Sequence, residues 1–246
     1  MIKTEKKNGY VHLQIARPEK KNALTRDMYE ALSEGVEKAA GAPDVNAIVI
    51  SGDGGVFTAG NDLDDFRARA TDATPKPSAG LAFIETLMNC DTPALVAAEG
   101  LAIGIGTTML LHVDAVYAGR STRFKTAFVD LGLVPEAAST VTMPLHLGAR
   151  KSAELLLMGE VLGADEAAEA GLISRVVDDG EALNEAFAAA EKLAGKPREA
   201  LRASKRLMKA PWQAMVKEAM EREREVFSER LTSDDCHAAL ARMGKK

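Results

Sequence analysis

Cysteines and histidines are scarce in this chain of 246 residues, and their spacing excludes several kinds of site. The two cysteines, Cys90 and Cys236, form neither a zinc-binding spacing nor a disulfide framework. None of the four histidines stands at metal-ligand spacing from another histidine or from a cysteine. We therefore expect reduced thiols and no metal site.

Long apolar runs and an excess of positive charge are also missing. The longest apolar runs are too short to span a bilayer, and the charged residues after Met1 do not resemble a signal peptide. Thirty-one basic and thirty-six acidic residues give a formal charge of -5, which provides no basic surface for nucleic acid. Residues 243–246 are not a Ser-Lys-Leu peroxisomal signal. We expect a cytoplasmic protein that binds neither nucleic acid nor a membrane.

The remaining composition is that of a globular protein, with 46% hydrophobic and 27% charged residues. Short β-rich runs alternate with helical patterns, which predicts an α/β fold whose strands are buried on both faces. A helix is predicted from about Arg26, with Thr25 as its N-cap, and another from about Thr107. Apolar runs predict strands over residues 10–16, 47–50, 93–98, 115–118 and 173–177. After the last strand the pattern is entirely helical, and we divide the chain into a core, 1–194, and a C-terminal helical region, 195–246.

Residues 64–80 differ in composition from their surroundings. They are charged, contain Pro75 and Pro77, and lack a sustained apolar face before Leu81. This predicts a mobile surface segment, which is either a lid or binding loop or a tolerated insertion.

Two glycine-containing turns, residues 56–63 and 100–106, each follow a predicted strand and lead into a helix. Glycine lets a backbone approach a ligand closely, and amides at a helix N-terminus carry a partial positive charge. If the turns converge, they form a site for an oxyanion. Either turn taken alone is more simply a tight connection.

A third segment places Glu136 directly after Pro135 and before two alanines. A carboxylate at this position suits the first turn of a helix. The same position also lets a carboxylate point into a cavity, because the alanines leave space.

Together and in this order, the three segments resemble the crotonase superfamily of enoyl-CoA hydratases and isomerases. The likeness runs from about Val11 to Asp178 and includes the Asn-Ala-Leu motif at 22–24 and residues 155–160 and 164–173. It implies a crotonase-like spiral of ββα units, followed by a C-terminal helical trimerisation region. We therefore expect a homotrimer or hexamer.

The resemblance also implies that two backbone N–H groups bind the thioester oxygen of an acyl-CoA. Here they belong to Asn61, after Gly60, and to Ile105, after Gly104. Members of the family commonly have glycine in place of Ile105, so the amide is retained while the side chain can narrow the acyl pocket.

By the same resemblance, the adenine and pantetheine parts of coenzyme A are expected to lie along Ala23, Ala59 and Leu63. Lys21 or Lys20 is a candidate for phosphate contact, and Lys205 is a weaker one. Asp62 either caps the helix that begins at Leu63 or supports the turn, and we favour this structural role over proton transfer. Coenzyme A is part of the substrate, and no separate cofactor is expected.

Enoyl-CoA hydratases use two glutamates, and the resemblance places Thr108 and Phe128 at those positions. Neither side chain can act as a carboxylic acid, whereas the setting of Glu136 is similar to that of the single glutamate of Δ3,Δ2-enoyl-CoA isomerases. We predict an isomerase of fatty acid β-oxidation with Glu136 as the base. A hydratase or other crotonase-fold lyase, and a non-catalytic CoA-binding oligomer, are the alternatives.

Overall fold

The computed structural model describes residues 1–71 and 77–243. The strands in these residues are β1 (Ile2–Lys6), β2 (Tyr10–Ile15), β3 (Ala47–Gly52), β4 (Ala94–Ala98), β5 (Leu101–Ile103), β6 (Ala115–Gly119), β7 (Arg123–Lys125), β8 (Leu162–Gly163) and β9 (Arg175–Val177). The α-helices are α1 (Arg26–Gly41), α2 (Leu63–Thr71), α3 (Ala79–Asn89), α4 (Ile105–Thr108), α5 (Ser139–Leu156), α6 (Ala164–Ala170), α7 (Ala182–Ala194), α8 (Arg198–Lys209), α9 (Gln213–Leu231) and α10 (Asp234–Met243). Short 3₁₀ turns occupy Pro18–Lys20, Met109–His112 and Val129–Leu131.

The strands form two sheets. The larger has the order β1-β2-β3-β4-β6-β9, in which β1 pairs antiparallel with β2 and all other neighbours are parallel. The smaller has the order β5-β7-β8. The five strands predicted from apolar runs are β2, β3, β4, β6 and β9, all in the larger sheet.

The central strands are buried on both faces, as the sequence pattern predicts. Side chains alternate along a strand, so Ile48 and Ile50 of β3 face the main core. Ala47 and Val49 face the opposite way and pack with α7, where Ala186 is also fully buried. Parallel strands covered on both sides need apolar residues at every position, which is why β3 reads as a continuous apolar run.

The chain repeats a ββα order that builds a spiral. β4 leads through β5 to α4, and β6 leads through β7 to α5. Earlier in the spiral, isolated β-bridges take the place of the short second strand. One bridge joins Leu24 to Asn61, and the other joins Thr58 to Ala102. This is the spiral that the resemblance implies, and helices α8 to α10 follow it as the C-terminal region. The division at residue 194 stays a prediction.

The prediction of a mobile segment over 64–80 is wrong for its first part, which is helical in α2. Asp62 caps this helix, because its Oδ1 accepts hydrogen bonds from the backbone N–H groups of Asp64 (3.0 Å) and Asp65 (3.2 Å). Phe66 anchors it in the core. A short helix with one buried aromatic has no sustained apolar stripe, so periodicity misses it. Pro75 and residues 244–246 lie outside the described residues.

The edge strand β1 and the short strands β5, β7 and β8 were not predicted. β1 has the sequence IKTEK, which carries almost no apolar signal, and only Ile2 is partly buried. The other three have two or three residues each, too few for a periodic pattern. No helix within the described ranges has the length and apolar character needed to cross a bilayer.

The Asn-Ala-Leu motif has a structural role through Asn22, which is fully buried and has a φ of +56°. Its Oδ1 accepts a hydrogen bond from the Arg17 N–H (2.8 Å), and its Nδ2 donates to the carbonyls of Asp53 (2.8 Å) and Val56 (2.5 Å). One side chain therefore ties the segment before α1 to the turn after β3.

Replacing Asn22 with alanine should lower the free energy of unfolding by about 3 kcal/mol, because it leaves buried backbone groups without partners. Urea denaturation measures this change. The control is Asn184→Ala, which removes an exposed amide and should change stability by less than about 0.5 kcal/mol. Equal effects for the two variants would contradict the assigned role of Asn22.

Candidate active site

Glu136 lies in a strained turn at the start of α5. The next two residues, Ala137 and Ala138, have φ values of +64° and +54°. This left-handed conformation costs about 1–2 kcal/mol for a residue with a Cβ. The turn must therefore be held by contacts with its surroundings.

One of these contacts comes from His112, whose Nε2 lies 2.7 Å from the carbonyl oxygen of Ala137. A carbonyl only accepts, so Nε2 carries the ring proton. Burial lowers the pKa of His112 to about 4, which makes the ring neutral near pH 7. His112 therefore has a structural role as a support for this turn.

The Glu136 side chain is only 3% exposed. Burial raises its pKa to about 7; the guanidinium of Arg69 acts to lower it, and the carboxylate of Glu223 acts to raise it. The charge of Glu136 in turn raises the pKa of Tyr29, together with the larger effect of burial. Glu136 is thus a carboxylate poised between its two protonation states at neutral pH, as a general base requires.

The two glycine turns converge, as predicted. The Ile103 N–H donates to the Thr58 carbonyl (3.1 Å), and the Thr58 N–H donates to the Leu101 carbonyl (3.0 Å). Gly60 has a φ of +86°, and a Cβ added to it would lie 2.6 Å from the Ile103 carbonyl oxygen. Only glycine permits this approach.

Each turn contains one backbone amide, that of Asn61 or of Ile105, that has no acceptor among the described residues. The Gly60 carbonyl and the Asp62 N–H both pair with Leu24, at 2.8 and 2.9 Å, so the intervening Asn61 directs its own N–H to the other side of the strand. Ile105 is the first residue of α4, where amides have no intrahelical acceptor. Within residues 1–71 and 77–243, neither of these N–H groups donates a hydrogen bond.

The Ile105 side chain packs against α3. It is 2% exposed, and a Cβ added to Gly80 would lie 2.9 Å from its terminal methyl and 3.4 Å from the Tyr29 ring. The absence of a side chain at Gly80 therefore provides the space for the isoleucine.

A cavity of about 500 Å³ opens between the starts of α1 and α3 and the length of α2. Asn61, Tyr29 and Arg69 are among its lining residues. The Tyr29 hydroxyl donates to Asn61 Oδ1 at 2.6 Å and fixes that side chain. Arg69 Nε is buried and has no hydrogen-bond partner among residues 1–71 and 77–243.

Sequence reasoning missed both Tyr29 and Arg69. Tyr29 lies beside Met28 on the buried face of α1, so its burial follows from periodicity but its partner does not. Arg69 lies in α2, the segment predicted to be mobile.

The family model described as enoyl-CoA hydratase/isomerase matches residues 5–245. The chain belongs to this family, and thus to the crotonase superfamily. It is 32% identical to human enoyl-CoA delta isomerase 2 over 242 residues, which are 95% of this chain and 60% of that protein. This chain therefore spans about three fifths of that relative's length.

Two further comparisons are consistent with membership of this family. The chain is 33% identical to 1,2-epoxyphenylacetyl-CoA isomerase of Escherichia coli over 197 residues, which are 77% of this chain and 74% of that one. The solved structure of OdaA from Pseudomonas aeruginosa superimposes with a TM-score of 0.95 at 36% identity and covers 100% of this chain and 99% of its own.

The enoyl-CoA hydratase/isomerase resemblance assigned several residues to a coenzyme A path, and the structure brings most of them together. The Ala59 N–H donates to the Lys21 carbonyl at 2.9 Å, and Ala23 lies next to Leu24, which pairs with Asn61. Lys21 is exposed, while Ala23 and Ala59 are half-buried. The contact of these residues with coenzyme A stays a prediction.

Two other candidates, Asp62 and Lys205, have structural partners. Asp62 caps α2, which begins at Leu63, and its Oδ2 accepts a hydrogen bond from Arg17 at 2.6 Å. The suggestion of Lys205 for phosphate contact is wrong. Its side chain is 4% exposed and donates to Asp114 at 2.6 Å and to the Thr92 carbonyl at 2.9 Å.

At the two positions that the resemblance assigns to the hydratase glutamates, Thr108 and Phe128 carry no carboxyl group. Thr108 is fully buried and Phe128 is 5% exposed. In the part of the chain that the structure describes, no group of three or more His, Cys, Asp or Glu residues could hold a metal ion.

Replacing Glu136 with glutamine should stabilise the protein at alkaline pH. The native pKa of about 7 exceeds the ordinary 4.5, so the stability that Glu136 contributes is complete below pH 4.5 and is lost as the pH rises through about 7. The variant avoids this loss and should be more stable than the wild type at pH 8 by up to about 3 kcal/mol.

Urea denaturation at pH 4.5 and pH 8 measures this difference, which should almost vanish at the lower pH. The matched control is Glu169→Gln, at an exposed position on α6, which should leave the pH dependence unchanged. A difference between Glu136→Gln and the wild type that does not vary with pH would contradict the prediction.

Proposed function

We propose that this protein is a Δ3,Δ2-enoyl-CoA isomerase, which moves the double bond of a 3-enoyl-CoA to the 2-position. The observation that carries the proposal is one buried carboxylate, Glu136, with a pKa of about 7 and no second acid at Thr108 or Phe128. Isomerisation needs a single base that both removes and returns a proton. Syn-hydration of the two-glutamate type needs a pair of acids.

The ionised Glu136 removes a proton from C2 of the substrate. The electron pair moves towards the thioester carbonyl, giving a dienolate whose negative charge lies mainly on oxygen. The same carboxyl group then returns the proton at C4, the thioester carbonyl re-forms, and the double bond now lies between C2 and C3. No oxidant, reductant or water is consumed.

The free amides of Asn61 and Ile105 are assigned to the dienolate oxygen. A thioester α-proton is far less acidic than a carboxylic acid, so the reaction requires stabilisation of the developing charge. One such donor typically contributes about 2.7–4 kcal/mol. Because these donors are backbone groups, their position depends on the close approach at Gly60.

The name of the human relative, enoyl-CoA delta isomerase 2, agrees with this proposal. The Escherichia coli relative is named as an isomerase of a different CoA ester, so the acyl group differs among relatives. We place the reaction in fatty acid β-oxidation in the cytoplasm, with coenzyme A held along Ala23, Ala59 and Leu63.

We also propose that the chain forms a homotrimer or a pair of trimers. Leu207 and Met208 of α8 are each 74% exposed, and Trp212 is 47% exposed. Large apolar side chains exposed together are typical of an association surface. Light scattering coupled to size-exclusion chromatography measures the mass, and a monomer at micromolar concentration would contradict this part of the proposal.

Glu136→Gln should lower kcat/KM for trans-3-hexenoyl-CoA at least about 100-fold, because the amide cannot accept the C2 proton. Growth of the ultraviolet absorbance of the conjugated 2-enoyl thioester measures the reaction. Glu169→Gln is the control and should retain wild-type turnover. If Glu136→Gln keeps near-wild-type activity, Glu136 is not the base.

The wild-type kcat/KM should rise with pH and level off above about 7, as Glu136 loses its proton. Crotonyl-CoA should keep its conjugated absorbance. Loss of that absorbance without isomerase activity would indicate a hydratase, and tight binding of acyl-CoA with no turnover would indicate a non-catalytic CoA-binding protein.

A further inference from the structure

A second buried carboxylate lies behind the strained turn. Glu223 is on α9 in the C-terminal region and is 6% exposed. Its Oε1 accepts hydrogen bonds from the backbone N–H (2.9 Å) and the hydroxyl (2.5 Å) of Thr140, in the first turn of α5. The contact joins residues 83 positions apart in the sequence.

This contact replaces a missing helix cap. The N-cap residue of α5 is Ala138, whose side chain has no acceptor. The first amides of a helix have no intrahelical partner and attract negative charge. Glu223 supplies both an acceptor and a charge, so a distant helix caps α5 where the local sequence cannot.

The cap lies next to the left-handed residues Ala137 and Ala138. The N–H of Ala138 and both donors of Thr140 lower the pKa of Glu223, although burial has the largest effect and the net shift is upward. Its Oε2 has no hydrogen-bond partner among the described residues. A buried oxygen without a partner is unfavourable for stability alone.

We infer that Glu223 is a positioning residue for Glu136: it holds the turn that carries Glu136 and places a second negative charge near it. The inference rests on the proposed function, in which Glu136 is the base. It also gives the C-terminal region a part in the reaction.

Besides Glu223, three titratable or charged groups among the described residues interact with Glu136 or with its turn. Arg69 of α2 favours the ionised form, and Glu223 of α9 favours the protonated form. Tyr29 of α1 faces Glu136 as a neutral phenol, and His112 reaches the turn as a neutral ring. Removing the charge of Glu223 therefore removes one of the two effects that raise the pKa of Glu136, leaves burial as the other, and lowers that pKa.

Three variants separate the charge from the hydrogen bonds. Glu223→Gln keeps an acceptor for Thr140 and removes the charge, so the acid limb of kcat/KM for trans-3-hexenoyl-CoA should move to lower pH. Thr140→Val removes one hydrogen bond to Glu223 and leaves its carboxyl group in place, so kcat should fall. Glu223→Ala removes both and should lower kcat about 10- to 100-fold with little change in KM.

Glu225→Gln is the matched control, because it removes an exposed carboxylate from the same helix. It should leave both kcat and the pH profile unchanged. If Glu223→Ala does not fold, the other two variants still test the inference.

An infrared titration measures the pKa of Glu136 without depending on turnover. Protein with ¹³C-labelled glutamate carboxyls is titrated, and the Glu136 band is assigned by its loss in Glu136→Gln. A lower midpoint in Glu223→Gln supports the inference, even if the wild type proves not to be an isomerase. An unchanged midpoint in an active isomerase overturns the inference and leaves the proposed function standing.

Discussion

The rest of the candidate site depends on the burial of one carboxylate, Glu136. Glu136 is almost inaccessible to water, and desolvation brings its pKa to about 7. Arg69 limits that shift by favouring the ionised form, while Glu223 works in the opposite direction. A carboxyl group in this balance is basic enough to accept a proton from carbon and is still partly ionised at neutral pH.

Backbone geometry supplies the other half of the site. The bridge between Thr58 and Ala102 draws two distant turns together, and Gly60 allows them to touch. Among the described residues, the N–H groups of Asn61 and Ile105 have no acceptor, because neighbouring groups take the sheet and helix hydrogen bonds. Donors fixed in this way need no reorganisation when charge develops on an oxygen, which is why such sites are effective in catalysis.

Sequence patterns were sufficient for five of the six strands of the larger sheet and for the glycine turns, because these depend on local apolar runs and on local backbone freedom. They indicated the cap at Asp62 but not the length of α2, because one buried aromatic takes the place of a long apolar stripe in this helix. They also missed Glu223. A signal for it was present, since it stands four residues after Ala219 and four before Phe227 on the buried face of α9. A charged residue on an apolar stripe indicates a buried partner.

The sequence by itself determined the family, the α/β class, the glutamate at position 136 and the lack of acids at Thr108 and Phe128. The tertiary structure alone decided which groups surround that glutamate. Tyr29, Arg69 and Glu223 come from three different helices, and each of them interacts electrostatically with Glu136 in the folded chain. Local patterns report burial and backbone conformation, whereas desolvation and charge coupling depend on distances between segments far apart in the chain.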